Sequence, residues 1–161
     1  MDDKLFRAIN HFSGRYLLLD KLMILFSNKI RYVFVFVLIF MWFRNRKTTL
    51  NVVVSMLLTL FTSMLIKLFY FRPRPFVKHR VGILIPSKLD SSFPSKHTLL
   101  VFAVSTSIFL RNRIVGAVMA VLSLFTGFSR IWLGHHYPAD IIASAFIGSF
   151  TSIIVDKISD R

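Results

Sequence analysis

Three short patches of Lys, Arg, His, Ser and Asp interrupt a strongly apolar chain, and together they hold the parts needed to bind a phosphate and attack it. The first is Lys67-x6-Arg74-Pro75, within KLFYFRPRP. Lys67 offers a point charge and Arg74 a planar fork, and one anion can take both. Singly, Lys67 also reads as a lysine snorkelling from a helix end, and Arg74 as a solvated loop residue. Arg72 is a second fork to which the spacing assigns no role. The second patch, Phe93-Pro94-Ser95-Lys96-His97-Thr98, opens a helix, where free backbone N–H groups favour anions. Ser95 adds a hydroxyl and His97 a proton donor. An ordinary helix cap also accounts for Pro94 and Ser95, but not for His97. The third patch runs from Ser129-Arg130 to His135-His136-Tyr137-Pro138-Ala139-Asp140. Asp140 follows His136 by four residues, so in a tight turn its carboxylate can accept a hydrogen bond from one imidazole nitrogen. That fixes the tautomer and frees the other nitrogen as a nucleophile. The plainer readings are that Asp140 complements a helix dipole and that the two histidines sit with Tyr137 at a membrane interface.

His135, His136 and Asp140 are also donor types that zinc accepts. Hard divalent ions want carboxylate oxygens, however, and the chain has only seven acidic residues, none of them Glu, amid 21 Lys and Arg. The expectation is a site with no metal and no cofactor, whose fixed cations do the electrostatic work.

The elements that must bring these patches together are membrane helices. Apolar residues make up 55% of the 161, with 18 Phe, too greasy for an ordinary soluble domain. Five spans are expected, near 30–43, 48–71, 98–110, 114–132 and 138–155, forming one all-α polytopic bundle. The first is short for a hydrocarbon core, so Lys29 and Arg31 must snorkel. Residues 1–29 read as a segment of one or two amphipathic helices lying in the interface. The first ten, MDDKLFRAIN, lack the pattern of a cleavable signal. With no cysteine, disulfides and thiol chemistry are excluded. The Pro-rich stretch 72–94 cannot be one regular helix. Five crossings gather all three patches at one membrane surface. The short basic turns 44–47 and 111–113 lie at the other, which the positive-inside rule makes cytoplasmic. The site then faces outward from the cell membrane. A formal charge of +14 fits an anionic substrate. Nucleic acid does not fit, because the basic residues are split by long apolar runs and no nucleic-acid module is present.

The three patches resemble the signature motifs of the type 2 phosphatidic acid phosphatase family, K-x6-R-P, P-S-G-H and S-R-x5-H-x3-D. Here they stand as Lys67…Arg74-Pro75, Pro94-Ser95-Lys96-His97 and Ser129-Arg130…His136…Asp140. The wider text FRPRPFV, FPSKHT and GFSRIWLGHHYPAD is similar to the undecaprenyl-diphosphatase branch associated with bacitracin resistance. The resemblance implies a phosphohistidine route. His136 attacks, Asp140 orients it, and His97 protonates the leaving oxygen. Lys67, Arg74, Ser95 and Arg130 hold the phosphate, with help from the Lys96 amide. It also implies a polyprenyl diphosphate or another lipid phosphate as substrate. Lys96 departs from the family's glycine, so the backbone there needs no glycine-only conformation. Its charge could reach a second phosphate. Competing readings are a phosphatase for phosphatidylglycerol phosphate, phosphatidic acid or diacylglycerol diphosphate, a lipid-phosphate binder or transporter, and a purely structural membrane protein. The last leaves the clustered cations and histidines unexplained.

Overall fold

In the computed structural model, residues 1–78, 84–87 and 89–159 are described. Part of the Pro-rich stretch 72–94 thus lies outside the described residues. Among these residues the structure is all-α, with α1 (Asp2–Asn10), α2 (Leu17–Asn28), α3 (Ile30–Arg44), α4 (Arg46–Phe69), the single turn α5 (Pro75–Lys78), α6 (Lys96–Arg111), α7 (Arg113–Trp132) and α8 (Pro138–Ser159). By length and composition, four helical runs can cross a membrane: Leu17–Arg44, Arg46–Phe69, Arg113–Trp132 and Pro138–Ser159. The fifth expected span, α6, has 16 residues, about 24 Å of helix. It sits at the centre, packed on α4, α7 and α8.

The bundle is greasy outside, and its interior mixes an apolar cluster around Phe34, Val52, Ile108 and Met119 with small hydroxyl residues. Phe61, Phe69, Phe146 and Phe150 are exposed, whereas Ser55, Thr59, Ser123, Ser144 and Ser152 are buried. The buried hydroxyls find partners: Ser123 donates to the Val101 carbonyl at 3.0 Å and Ser152 to the Ala103 carbonyl at 2.8 Å. Two Arg-Asn-Arg turns reverse the chain with a single residue between helices. In each, the Asn side chain caps the next helix, Asn45 accepting from the Thr48 amide at 3.0 Å and Asn112 from the Val115 amide at 3.1 Å.

α6 and α8 approach closely at Gly148, where an added Cβ would stand 2.4 Å from the Leu99 carbonyl oxygen. Gly148→Ala must therefore push these helices apart, and we expect a loss of about 1–3 kcal/mol, read as a lowered Tm in detergent. An unchanged Tm would mean that the two helices tolerate separation.

The first span differs from expectation. α2 and α3 form a 28-residue run rather than a short segment starting at Ile30. Lys29 stays in the right-handed helical region (φ −99°, ψ −28°), so the chain continues helically through the point where its charge marks a boundary in sequence. α1 packs on the bundle. Phe6 is fully buried, edge-on to Tyr137 at 5.5 Å, and Asn10 donates to the Trp132 carbonyl at 2.8 Å.

Candidate active site

The C-terminal ends of α2, α4 and α7, the N-terminal end of α6 and the turn before α8 meet around a cavity of about 330 Å³. Its wall carries Lys67, Arg74, Lys96, His97, Arg130, His135 and His136, together with Asn28, Ser87 and Asp90. Residues far apart in sequence thus converge on one pocket with a surplus of positive charge.

Lys67 is at the last turn of α4. Its Nζ donates to the Ser91 carbonyl at 2.9 Å and pairs with Asp90 at 3.3 Å. Arg74 follows the extended residues after α4 and pairs with the other oxygen of Asp90 at 2.6 Å, while its Nη1 donates to Ser87 at 2.9 Å. Asp90 thus bridges the two cations. Burial alone would raise its pKa, but Arg74 and Lys67 outweigh it and hold the carboxyl below its ordinary value. Arg130 is buried in the last turn of α7. Its Nη1 donates to Ser27 at 2.7 Å, and its Nε is buried with no hydrogen-bond partner. An unsatisfied buried guanidinium N–H at a cavity wall is a donor waiting for an acceptor.

Two histidines leave α7 through a sharp turn. Gly134, at φ +76°, takes the left-handed conformation that a helix C-terminus commonly needs. The amides of His135 and His136 then fold back onto the Arg130 carbonyl at 3.0 and 3.3 Å, tying the nucleophile candidates to the guanidinium residue. The Nε2 of His135 donates to the Ile85 carbonyl at 3.0 Å, so that nitrogen carries a proton. The Nδ1 of His136 donates to the Ser92 carbonyl at 2.7 Å, which leaves its Nε2 with the lone pair. Burial, then the charges of Arg130 and Arg74, depress both imidazoles. His135 falls to about 4 and His136 well below its ordinary value, so both are neutral near pH 7.

One sequence expectation needs correction here. Asp140 does not accept a hydrogen bond from His136. Its nearest carboxylate oxygen is 3.9 Å from Nδ1, and Nδ1 is already satisfied by Ser92. The Asp140 carboxylate instead takes the Tyr137 amide at 3.0 Å, Arg72 at 2.5 Å and the Ser92 hydroxyl. Asp140 is thus linked to His136 through Ser92, whose hydroxyl donates to the carboxylate and whose carbonyl accepts from Nδ1. Ser95, fully buried, does not line the cavity. Its amide donates to Ser144 at 2.8 Å and its hydroxyl accepts from Thr98 at 3.1 Å, so it secures the start of α6 against α8. Lys96 opens α6, and no non-glycine residue among those described has positive φ, so the replacement of glycine costs no strain there.

Ser27, Asn28, Ser87, Asp90 and Ser92 belong to the site and carry no motif signal. Asp90 had one available clue, its rarity as an acid in a basic chain. Among the described residues no group of three or more His, Cys, Asp or Glu side chains is placed to hold a metal ion.

The chain is similar to known proteins. Residues 48–160 match the PAP2 superfamily. The undecaprenyl-diphosphatase BcrC of Bacillus subtilis is 36% identical, over 99% of this chain and 85% of the relative. An undecaprenyl-diphosphatase of Sulfolobus acidocaldarius is 30% identical, over 94% of this chain and 75% of the relative. The crystal structure of Aquifex aeolicus LpxE superposes with a TM-score of 0.83 at 27% identity, covering 96% of this chain and 93% of that one. With most of its length matched by the family, the chain belongs to the PAP2 superfamily.

Proposed function

We propose that this membrane phosphatase hydrolyses undecaprenyl diphosphate to undecaprenyl phosphate and inorganic phosphate through a phosphohistidine on His136. The observation that carries the proposal is the anchoring of His136 Nδ1 on the Ser92 carbonyl, which presents a neutral Nε2 at a cavity lined by Lys67, Arg74 and Arg130. Near-full-length likeness to undecaprenyl-diphosphatases supports the substrate. Nε2 attacks the terminal phosphorus in line, and the N–P bond forms as the bridging P–O bond breaks. Lys67, Arg74 and Arg130 neutralise the equatorial oxygens, where the transition state holds its charge. His97, on the cavity wall, is the acid for the departing lipid phosphate: burial and the Arg130 charge depress its imidazole to about 4, and the entering diphosphate brings the negative charge that offsets them and lets it hold the proton it gives up. It then takes one from the water that cleaves N–P and releases inorganic phosphate. The displacement of Asp90 from Lys67 and Arg74 accompanies phosphate entry, because the same donors serve both anions.

The apolar exterior keeps the polyprenyl tail in lipid while the headgroup enters the cage. The basic turns at Arg44–Lys47 and Arg111–Arg113 favour the cytoplasmic side, which supports a cage facing outward from the cell.

Purified protein offered undecaprenyl diphosphate, diacylglycerol diphosphate, phosphatidylglycerol phosphate and phosphatidic acid, with chelator present, tests this reading. Phosphate release should be fastest from undecaprenyl diphosphate and indifferent to chelator. Strict dependence on an added divalent ion, or faster release from phosphatidic acid, refutes it. Lys96, exposed on the cavity wall, is the candidate contact for the second phosphate. Lys96→Gly should then slow the diphosphates more than the monophosphates, whereas equal changes remove that role.

A further inference from the structure

Arg72 is the one cation of the Arg72-Pro73-Arg74-Pro75 run that does not line the phosphate cavity, yet it is held more tightly than a solvated residue needs to be. Its Nη1 donates to Asp140 at 2.5 Å and its Nη2 to Asp2 at 2.6 Å. Its guanidinium lies over the Tyr137 ring, 4.1 Å from the centroid. Its backbone is equally engaged, the amide donating to the Ser91 hydroxyl at 3.2 Å and the carbonyl accepting from the Ser92 amide at 2.8 Å.

Ser92 closes the ring. Its amide is held by the Arg72 carbonyl, its hydroxyl by the Asp140 carboxylate, and its own carbonyl receives the His136 Nδ1 proton. Asp140 is fully buried, and a buried carboxylate needs a cation and several donors to stay charged. Arg72 is that cation. Asp2 then joins the far side of Arg72 to α8, its other oxygen accepting from the Ala139 amide at 3.0 Å. Phe6, one turn further along α1, packs on Tyr137, the residue after His136.

Resting on the phosphohistidine reading above, we propose that Arg72, tied to the rest of the bundle by Asp2 of α1, is a positioning residue for His136. It acts through Asp140 and Ser92 and does not bind the phosphate. The amino-terminal helix is thereby a working part of the active site.

The full chain carrying Arg72→Gln, and separately Asp2→Asn, provides the test, with three readouts: steady-state kinetics, inhibition by inorganic phosphate, and the ¹⁵N imidazole shifts of His136. Arg72→Gln should lower kcat on the order of 100-fold, the scale of a small misplacement of a reacting group. The inhibition constant of inorganic phosphate should stay within about twofold, because Lys67, Arg74 and Arg130 are untouched and a twofold change is under 1 kcal/mol. The His136 shifts should move from the Nδ1–H tautomer to a mixture. Asp2→Asn, a milder change at the same guanidinium, should shift kcat and tautomer in the same direction by less, and it decides the matter if Arg72→Gln does not fold. A wild-type-like kcat and tautomer in the folded variants overturns the proposal. So does a loss of phosphate affinity parallel to the loss of kcat, which would put Arg72 in the cage. The tautomer readout needs no turnover. A wild-type protein that binds phosphate and shows the Nδ1–H tautomer, but releases no phosphate from lipid, sinks the phosphatase reading and leaves the positioning role to be judged by the shifts.

Discussion

His136→Ala is expected to abolish phosphate release from undecaprenyl diphosphate, with kcat falling on the order of 10⁵-fold or more, the range for losing a nucleophile. The size follows from the geometry. His136 is buried at the cavity wall, its Nδ1 is consumed by the Ser92 carbonyl, and its pKa is held well below the ordinary value, so Nε2 carries a lone pair across the neutral range. No neighbour can take over. His135 lies next in sequence, but its Nε2 is protonated and bonded to the Ile85 carbonyl, and its Nδ1 is buried without a partner. His135→Ala should therefore leave most of the turnover, while inorganic phosphate should still bind His136→Ala, whose cations are intact. The reverse ranking of the two histidine variants in kcat would show that the nucleophile has been misassigned.

The second large effect belongs to Arg130. Arg130→Ala should cost about 10³-fold in kcat, the range for deleting a guanidinium that stabilises a phosphoryl transition state. Arg130→Lys should restore little of this. The guanidinium is used as a fork, with Nη1 fixed on Ser27 and the buried Nε unpaired beside the cavity. A lysine cannot span both positions with one ammonium. KM should rise far less than kcat falls, because the charge it answers develops in the transition state. Kinetics of both variants on undecaprenyl diphosphate decide the point, and an Arg130→Lys enzyme with more than about half the wild-type kcat, a difference under 1 kcal/mol, would contradict the forked role.

The chemistry was legible in sequence because each signature spacing is local. Lys67 and Arg74 flank one helix end, and Arg130, His136 and Asp140 sit around one tight turn, so chain connectivity alone brings them near each other. What the sequence hid are contacts between distant segments, which leave no periodicity. Ser27 meets Arg130 across 103 positions and Asp2 meets Arg72 across 70. The Asp140 reading failed in an instructive way. The spacing to His136 is right for proximity, but the Ser92 carbonyl, from another segment, reaches Nδ1 first. Ser95 is likewise engaged by other residues, its amide donating to Ser144 and its hydroxyl accepting from Thr98.

The helices themselves were legible from hydropathy, and their inner and outer faces were not. In a soluble bundle apolar residues mark the core, whereas here large apolar side chains stand on both faces, Phe34 and Ile108 inside and Phe61 and Phe146 outside, and small hydroxyl residues such as Ser55, Thr59 and Ser152 share the interior. The first span was cut short at Lys29 because its charge resembles a membrane boundary, although the backbone there remains helical.

The most direct measurement is to trap the covalent intermediate. Undecaprenyl diphosphate labelled in its terminal phosphate is mixed with enzyme, quenched in base within one turnover, where phosphohistidine survives, and the peptides are mapped. Label on residue 136, absent from the Ala variant, is the predicted result. Label on His97 or His135, or full-rate phosphate release with protein that never becomes labelled, would contradict a phosphohistidine at this position.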